Sequence, residues 1–463
     1  MTIDEAAIEA AQSGYRYYYR PGRELRPIPP GKDEFSDEWL YLRKLLFEPW
    51  FEVEHAITPT DATRLYDDHL WQGDELMDAV VDLFVAEGPE KARGMFEQAL
   101  LEGVDTLPNA PEALIALFRE VTKIPEWYSE KRGEQGRRRI LVATTPASAM
   151  MGSFAVFDTV LNSDVSAATG ATGRFKAEPT KRYVQTAKYF SAVLLADKVG
   201  PGTEAFNTAM RVRLIHGLAR RGLDARWGQA HFDMFGDPMP NSSFCGFMES
   251  MMISVLVDHR YGRAISREDL DDVWHFLAYW TWLAGVTDYL LPRSSMEAMR
   301  NLDYLLARNG RPSEWRAELA TALLTGLLGR RNKLGTNAIA FAVAMSGRAL
   351  MGPEMTELFF SDTRWAGAPF ETPGRILLAL CAVAARVAAI RDRVPGIGVL
   401  RRIRRLSTPH YVIGAGQSIF ESTARRVKIS ADFRYHDHST SGGGIKNRGE
   451  LVADPHDAPL ARQ

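Results

Sequence analysis

The chain has 463 residues, longer than one average domain of ~150, and its 46% hydrophobic and 25% charged residues are ordinary for a folded globular protein. That mixture excludes global disorder, a collagen-like fibre and a polytopic membrane protein. Basic and acidic side chains number 56 and 58, so the formal charge of −2 gives no overall pull toward nucleic acid. The 2 cysteines, Cys245 and Cys381, make neither a disulfide framework nor a structural zinc site.

In chain order, Met1–Ser13 carries Asp4, Glu5 and Glu9 where a signal peptide needs a basic end and an apolar core. The chain therefore reads as soluble and intracellular, with the cytoplasm as its expected location. Residues 14–35 mix aromatics, arginines and prolines, a composition suited to an extended arm laid across a surface. From Ser36 the periodicity is helical, and alternating strand patterns are scarce. Pro111 stands at a plausible first-turn position of the segment ending at Phe118. Ser266 to Asp269 resembles a capping box before the aromatic-rich run Leu270–Leu283, whose end Gly285 and Pro292 bracket. Two apolar runs, Thr336–Ser346 and Ile376–Ala385, are far shorter than the ~20 residues of a spanning helix and read as buried helices. The expected architecture is all-α: an arm over 1–35, one large multi-helix domain over 36–395, and a basic segment with a disordered tail over 396–463. No internal repeat is present.

Local motifs exclude several chemistries. The chain has no GxxxxGK[ST] loop, GxGxxG turn, HExxH, CxxC or GxSxG elbow, so nucleotide-dependent, zinc-protease and serine-hydrolase mechanisms have no support. Two neighbouring helices concentrate the polar candidates. Arg182, Gln185 and Thr186 fall at i, i+3 and i+4, and Tyr189 and Val193 continue their face. A cation, an amide and a hydroxyl aimed together suit a small polar site in an apolar wall; a solvent-facing polar edge gives the same pattern. On the next helix Val212, Ile215, His216, Ala219 and Leu223 share one stripe, flanked by Arg211, Arg213, Arg220 and Arg221. A neutral imidazole on a rigid helix can hold a haem iron, and nearby arginines such as Arg213 and Arg220 can bind haem propionates. A histidine satisfied by a backbone carbonyl fits the spacing equally well.

Together these residues resemble the catalytic domain shared by MpaB-type oxygenases and latex-clearing proteins (rubber oxygenases). The likeness rests on Arg182-Tyr-Val-Gln185-Thr186, on His216 in the following helix, on Gly236-Asp-Pro-Met-Pro240, and on Leu283-Ala-Gly-Val with Pro292. It implies an all-α fold around one b-type haem, with His216 as iron ligand and Arg182 and Thr186 lining the pocket. It also implies molecular oxygen as co-substrate and cleavage of a C=C bond in an isoprenoid or other hydrophobic substrate. Gln185 stands where latex-clearing proteins place a lysine, and an amide supplies no positive charge. Asp164 and Glu178 are the nearest carboxylates to the position where the rubber cleavers carry a base.

Other readings compete. Glu52 with His55, and Asp272 with His275, each place a carboxylate and an imidazole one turn apart, as helical di-iron oxidases do. A helical protein that sequesters a hydrophobic ligand without turnover is the third. His231 reads as a packing residue close to the same pocket, and Cys245 as an inert buried thiol. The run Arg401–Arg405 leaves peripheral contact with an anionic membrane open, whereas no nucleic-acid-binding pattern accompanies it.

Overall fold

The computed structural model describes residues 16–173, 175, 179–196, 198–309, 312–328 and 334–394. It also describes a two-residue antiparallel ladder, Ile445–Lys446 against Glu450–Leu451. The basic run at 401–405, Glu178 and most of the expected tail lie outside the described residues.

The all-α expectation holds, with 17 α-helices among the described residues. They are α1 (Leu40–Phe47), α2 (Asp61–Asp68), α3 (Glu75–Ala86), α4 (Pro89–Glu102), α5 (Glu112–Val121), α6 (Glu130–Leu141), α7 (Thr145–Leu161), α8 (Ser163–Ala171) and α9 (Pro179–Leu195). There follow α10 (Glu204–Phe235), α11 (Asn241–Ser250), α12 (Ile253–Arg260), α13 (Arg267–Leu283), α14 (Ser295–Ala307), α15 (Arg316–Leu328), α16 (Leu334–Phe360) and α17 (Glu371–Asp392).

Side-chain caps start many of these helices. The side chains of Thr60, Asp74, Ser129, Thr203, Ser266 and Ser294 each accept a hydrogen bond from a first-turn amide, satisfying a donor that the helix itself leaves open. Pro111 sits one position earlier than expected, at the N-cap of α5 rather than in its first turn. At the far end of α13, Gly285 N–H bonds the Trp282 carbonyl (2.9 Å) and Val286 N–H the Thr281 carbonyl (3.3 Å). This paired closure needs a left-handed residue, and Gly285 has φ +104°.

One apolar core binds the helices. α13 packs along α6, while α7 touches α8, α12, α16 and α17. Trp39, Phe157, Phe206, Trp274 and Trp280 are buried at its centre. Two of the buried tryptophans donate their N–H groups, Trp274 to the Pro292 carbonyl (2.8 Å) and Trp280 to the Tyr189 hydroxyl (2.6 Å), whereas the Trp39 Nε1 has no partner among the described residues. Residues 16–29 run without helix over this body, with Tyr17 and Tyr18 buried and Tyr17 bridged to Gln72. α10 is broken at Gly228 (φ +70°), which separates its first six turns from its end.

The run Ile376–Ala385 departs from its expectation. It belongs to the 22-residue α17, and only one side of that helix is buried. Nothing in an apolar run says which of its faces a core will cover.

Candidate functional site

The site is organised by α10, whose two faces differ. Met210, Arg213, Leu214, Gly217 and Arg220 are buried, and this side meets α3, where Gly217 lies against Met77 and Val81. Val212, Ile215, His216 and Ala219, on the other side, are only half-buried.

The buried side is held by ion pairs. Arg213 donates from Nε (2.6 Å) and Nη2 (2.8 Å) to the two oxygens of Asp74, and from Nη1 to the Leu283 carbonyl (3.4 Å). Arg220 donates from Nε (3.0 Å) and Nη2 (2.6 Å) to Asp78 Oδ1, with Asp237 at 4.0 Å. One turn further along α3, Asp82 meets Arg221, the residue after Arg220, and also receives a forked pair from Arg16 at 2.8 and 2.9 Å. Tyr18 donates to Asp78 Oδ2 (3.0 Å), and Arg20 reaches Glu75 (2.9 Å). The N-terminal arm thus straps the acidic face of α3 to α10. Two glycines make room for the pairs. A Cβ at Gly285 would stand 2.1 Å from Asp74 Oδ2, and one at Gly73 would stand 2.6 Å from Arg220 Nε. Burial pushes the carboxyls of Asp78 and Asp237 upward, and Arg220 pulls both back.

This geometry corrects one expectation. Arg213 and Arg220 were assigned to cofactor propionates, but each guanidinium is committed to an aspartate inside the protein. A buried fork satisfied by a carboxylate has no charge to spare for a second anion.

His216 is differently placed. Its Nδ1 is enclosed and finds no hydrogen-bond partner among the described residues. The Phe244 ring lies 4.8 Å away, tilted by 42°. Burial and then the nearby Arg220 charge lower the imidazole to about 4, so it is neutral near pH 7 and its ring nitrogens can ligate a metal. An orphaned nitrogen beside a half-buried apolar stripe fits a flat apolar group bearing a metal, which is what a b-type haem presents.

On α9 the expected triplet divides. Arg182 Nη1 donates to Gln185 Oε1 (3.0 Å), and Gln185, Tyr189 and Val193 are buried. Thr186 is exposed. The structure therefore joins Arg182 to Gln185 but leaves Thr186 exposed, although its angle falls between those of buried Val193 and Leu194 further along the helix. α9 and α10 pack together, bringing this pair onto the helix next to His216.

The di-iron alternative fails on geometry. His55 is exposed and pairs with Asp37, Asp272 accepts from Arg132 (2.7 Å), and His275 Nε2 accepts from the Ser129 N–H (2.8 Å). Among the described residues no group of three or more His, Cys, Asp or Glu side chains is placed to hold a metal ion. His231 packs at a tilt between Trp227 (4.2 Å) and Phe235 (4.9 Å), and Asp164 accepts from Lys32 (3.0 Å) and Ser243 (2.8 Å). Cys245 is fully buried beside Glu249.

Sequence reasoning missed the acid ladder Asp74, Asp78 and Asp82. Its spacing of four, which places the three carboxylates on one side of a helix, was visible in the sequence. It also missed His69, which is fully buried with Nδ1 2.8 Å from the Leu65 carbonyl and Nε2 unpartnered.

The fold and the site define an all-α protein in which α9 and α10 bring the Arg182–Gln185 pair next to the helix of His216. The chain belongs to the family described as ER-bound oxygenase mpaB/B'/Rubber oxygenase, catalytic domain, whose model matches residues 135–386, more than half of its length. It is accordingly an oxygenase. The match contains α9, His216 and Gly285, while the acid ladder of α3 lies outside it. Among solved structures it is similar to one titled "Structure of Latex Clearing Protein LCP in the closed state", at 14% identity, TM-score 0.48, covering 76% of this chain and 90% of that one. No curated protein matches it.

Proposed function

We propose that this oxygenase uses a b-type haem ligated by His216 to cleave a C=C bond of a hydrophobic, isoprenoid-like substrate with molecular oxygen. The observation that carries the reading is the enclosed, partnerless Nδ1 of His216 on a half-buried apolar stripe. The family supports the oxygen chemistry. Bound haem supplies the iron at which oxygen is activated.

The chain's own residues do the rest. Val212, Ile215 and Ala219 form a wall that excludes water and lays an alkene alongside without polar competition. Gln185, fixed by Arg182, offers an amide N–H as a neutral donor where a lysine would bring charge. Asp74 and Asp78 hold α10 through Arg213 and Arg220, which fixes the height of His216 in the site.

Absorption spectroscopy tests this. Protein purified with haem should show a strong Soret band, shifted by carbon monoxide after reduction, and His216→Ala should lose it. Porphyrin-free protein that takes up no haem, or a Soret band unaffected in His216→Ala, overturns the assignment.

A further inference from the structure

α17 has two apolar faces. Gly374, Leu377, Cys381, Ala385 and Ala388 are buried against the body. On the opposite side Ile376, Leu380, Val383, Val387 and Ile390 are 50–64% exposed, and Val394 just past the helix is 46% exposed. These residues follow one another by four and three, so they form a continuous stripe that runs about 21 Å along the helix from Ile376 to Ile390. Phe341, 42% exposed on α16, lies beside Phe370 just before α17 begins. By length and composition α17 is long and apolar enough to cross a membrane, but its inner face is already packed. Monomers seldom leave so ordered an apolar surface in water.

Charge indicates what covers it. The only carboxylates of the helix are its end residues, Glu371, paired with Arg375 and Arg348, and Asp392, paired with Arg263. Arg375, Arg386 and Arg393, all exposed, border the stripe along one edge. Beyond the described residues the sequence adds Arg401, Arg402, Arg404 and Arg405. A second copy docked on this stripe would set net-positive edges against each other, because Glu371 is already taken up by Arg375 and Arg348 and Asp392 by Arg263, and the sequence that continues has no carboxylate before Glu421. An anionic lipid surface takes both components, accepting apolar side chains below its headgroups and cations among them.

We propose that the outer face of α17 docks, parallel to the surface, on a membrane containing anionic lipid. The proposal is independent of haem. In flotation with the full chain, the protein should rise with phosphatidylcholine vesicles containing about 30% phosphatidylglycerol, and bind roughly tenfold less to phosphatidylcholine alone or in 0.5 M salt. Val383→Asp with Val387→Asp should lower binding at least ~tenfold with an unchanged melting temperature, because both sites are exposed. Arg375→Gln, Arg386→Gln and Arg393→Gln together should flatten the salt dependence. The proposal is overturned if wild type ignores anionic vesicles, or if the double aspartate variant binds like wild type. It is equally overturned if light scattering shows a dimer that the double variant converts to monomer, since a second copy would then be the occupant.

Discussion

The two sides of α10 have the same backbone and opposite chemistry. On one, every long polar side chain is answered: Arg213 by Asp74 and Arg220 by Asp78, with glycines cut to fit them. On the other, an imidazole nitrogen is enclosed and unanswered among half-buried apolar neighbours. The contrast teaches that the first face is built for folding and the second for something that arrives later.

The comparison breaks first at Arg213. Arg213→Met strands Asp74 in the interior and should cost about 3–5 kcal/mol in denaturant unfolding. Adding Asp74→Leu should recover much of it, though the cap on α3 is lost with it (about 1 kcal/mol). A loss under about 1 kcal/mol for Arg213→Met would show that the pair does not brace the helix.

His69 sharpens the contrast, being buried with one nitrogen unpartnered but the other bonded to Leu65. Burial lowers its imidazole to about 4, below the value of about 6.5 in the unfolded chain. Between those values the unfolded state holds the extra proton, so stability falls as pH drops from about 6.5 toward 4. From pH 7 to pH 5 wild type should lose about 2 kcal/mol more than His69→Gln. Equal losses from the two proteins would show that His69 titrates normally.

The smallest effect is expected at His216. In haem-free protein, His216→Leu replaces an orphaned polar atom with hydrocarbon and should raise stability by about 1 kcal/mol. Destabilisation by about 2 kcal/mol or more would mean that the imidazole is structural and that the two faces do not differ in purpose.

The fold class was legible because it rests on local patterns: capping hydroxyls such as Ser266, period-3.6 apolar runs, and the Gly285 turn; which side of α10 the body covers was not, since the arginine side is the buried one and the His216 side is half-buried. The roles of Arg213 and Arg220 were not, because their partners lie about 140 residues earlier, on α3. Sequence spacing shows that an arginine flanks a stripe but not which carboxylate reaches it. Thr186 shows the limit of helical projection, which groups residues by angle without saying at which height along the helix a neighbour covers that angle: Val193 and Leu194, on either side of its direction, are buried further on. Ile376–Ala385 shows the same limit from the other direction, an apolar run whose second face the body leaves uncovered.

Gly285 closes α13 and also lies against the Asp74–Arg213 pair. The end of one helix and the height of another are therefore set by a single position. Lengthening α13 by even one residue would drive a side chain into the brace, so insertions that a surface loop would absorb are transmitted here to the imidazole. The register of the pocket is in effect counted from the end of its neighbouring helix.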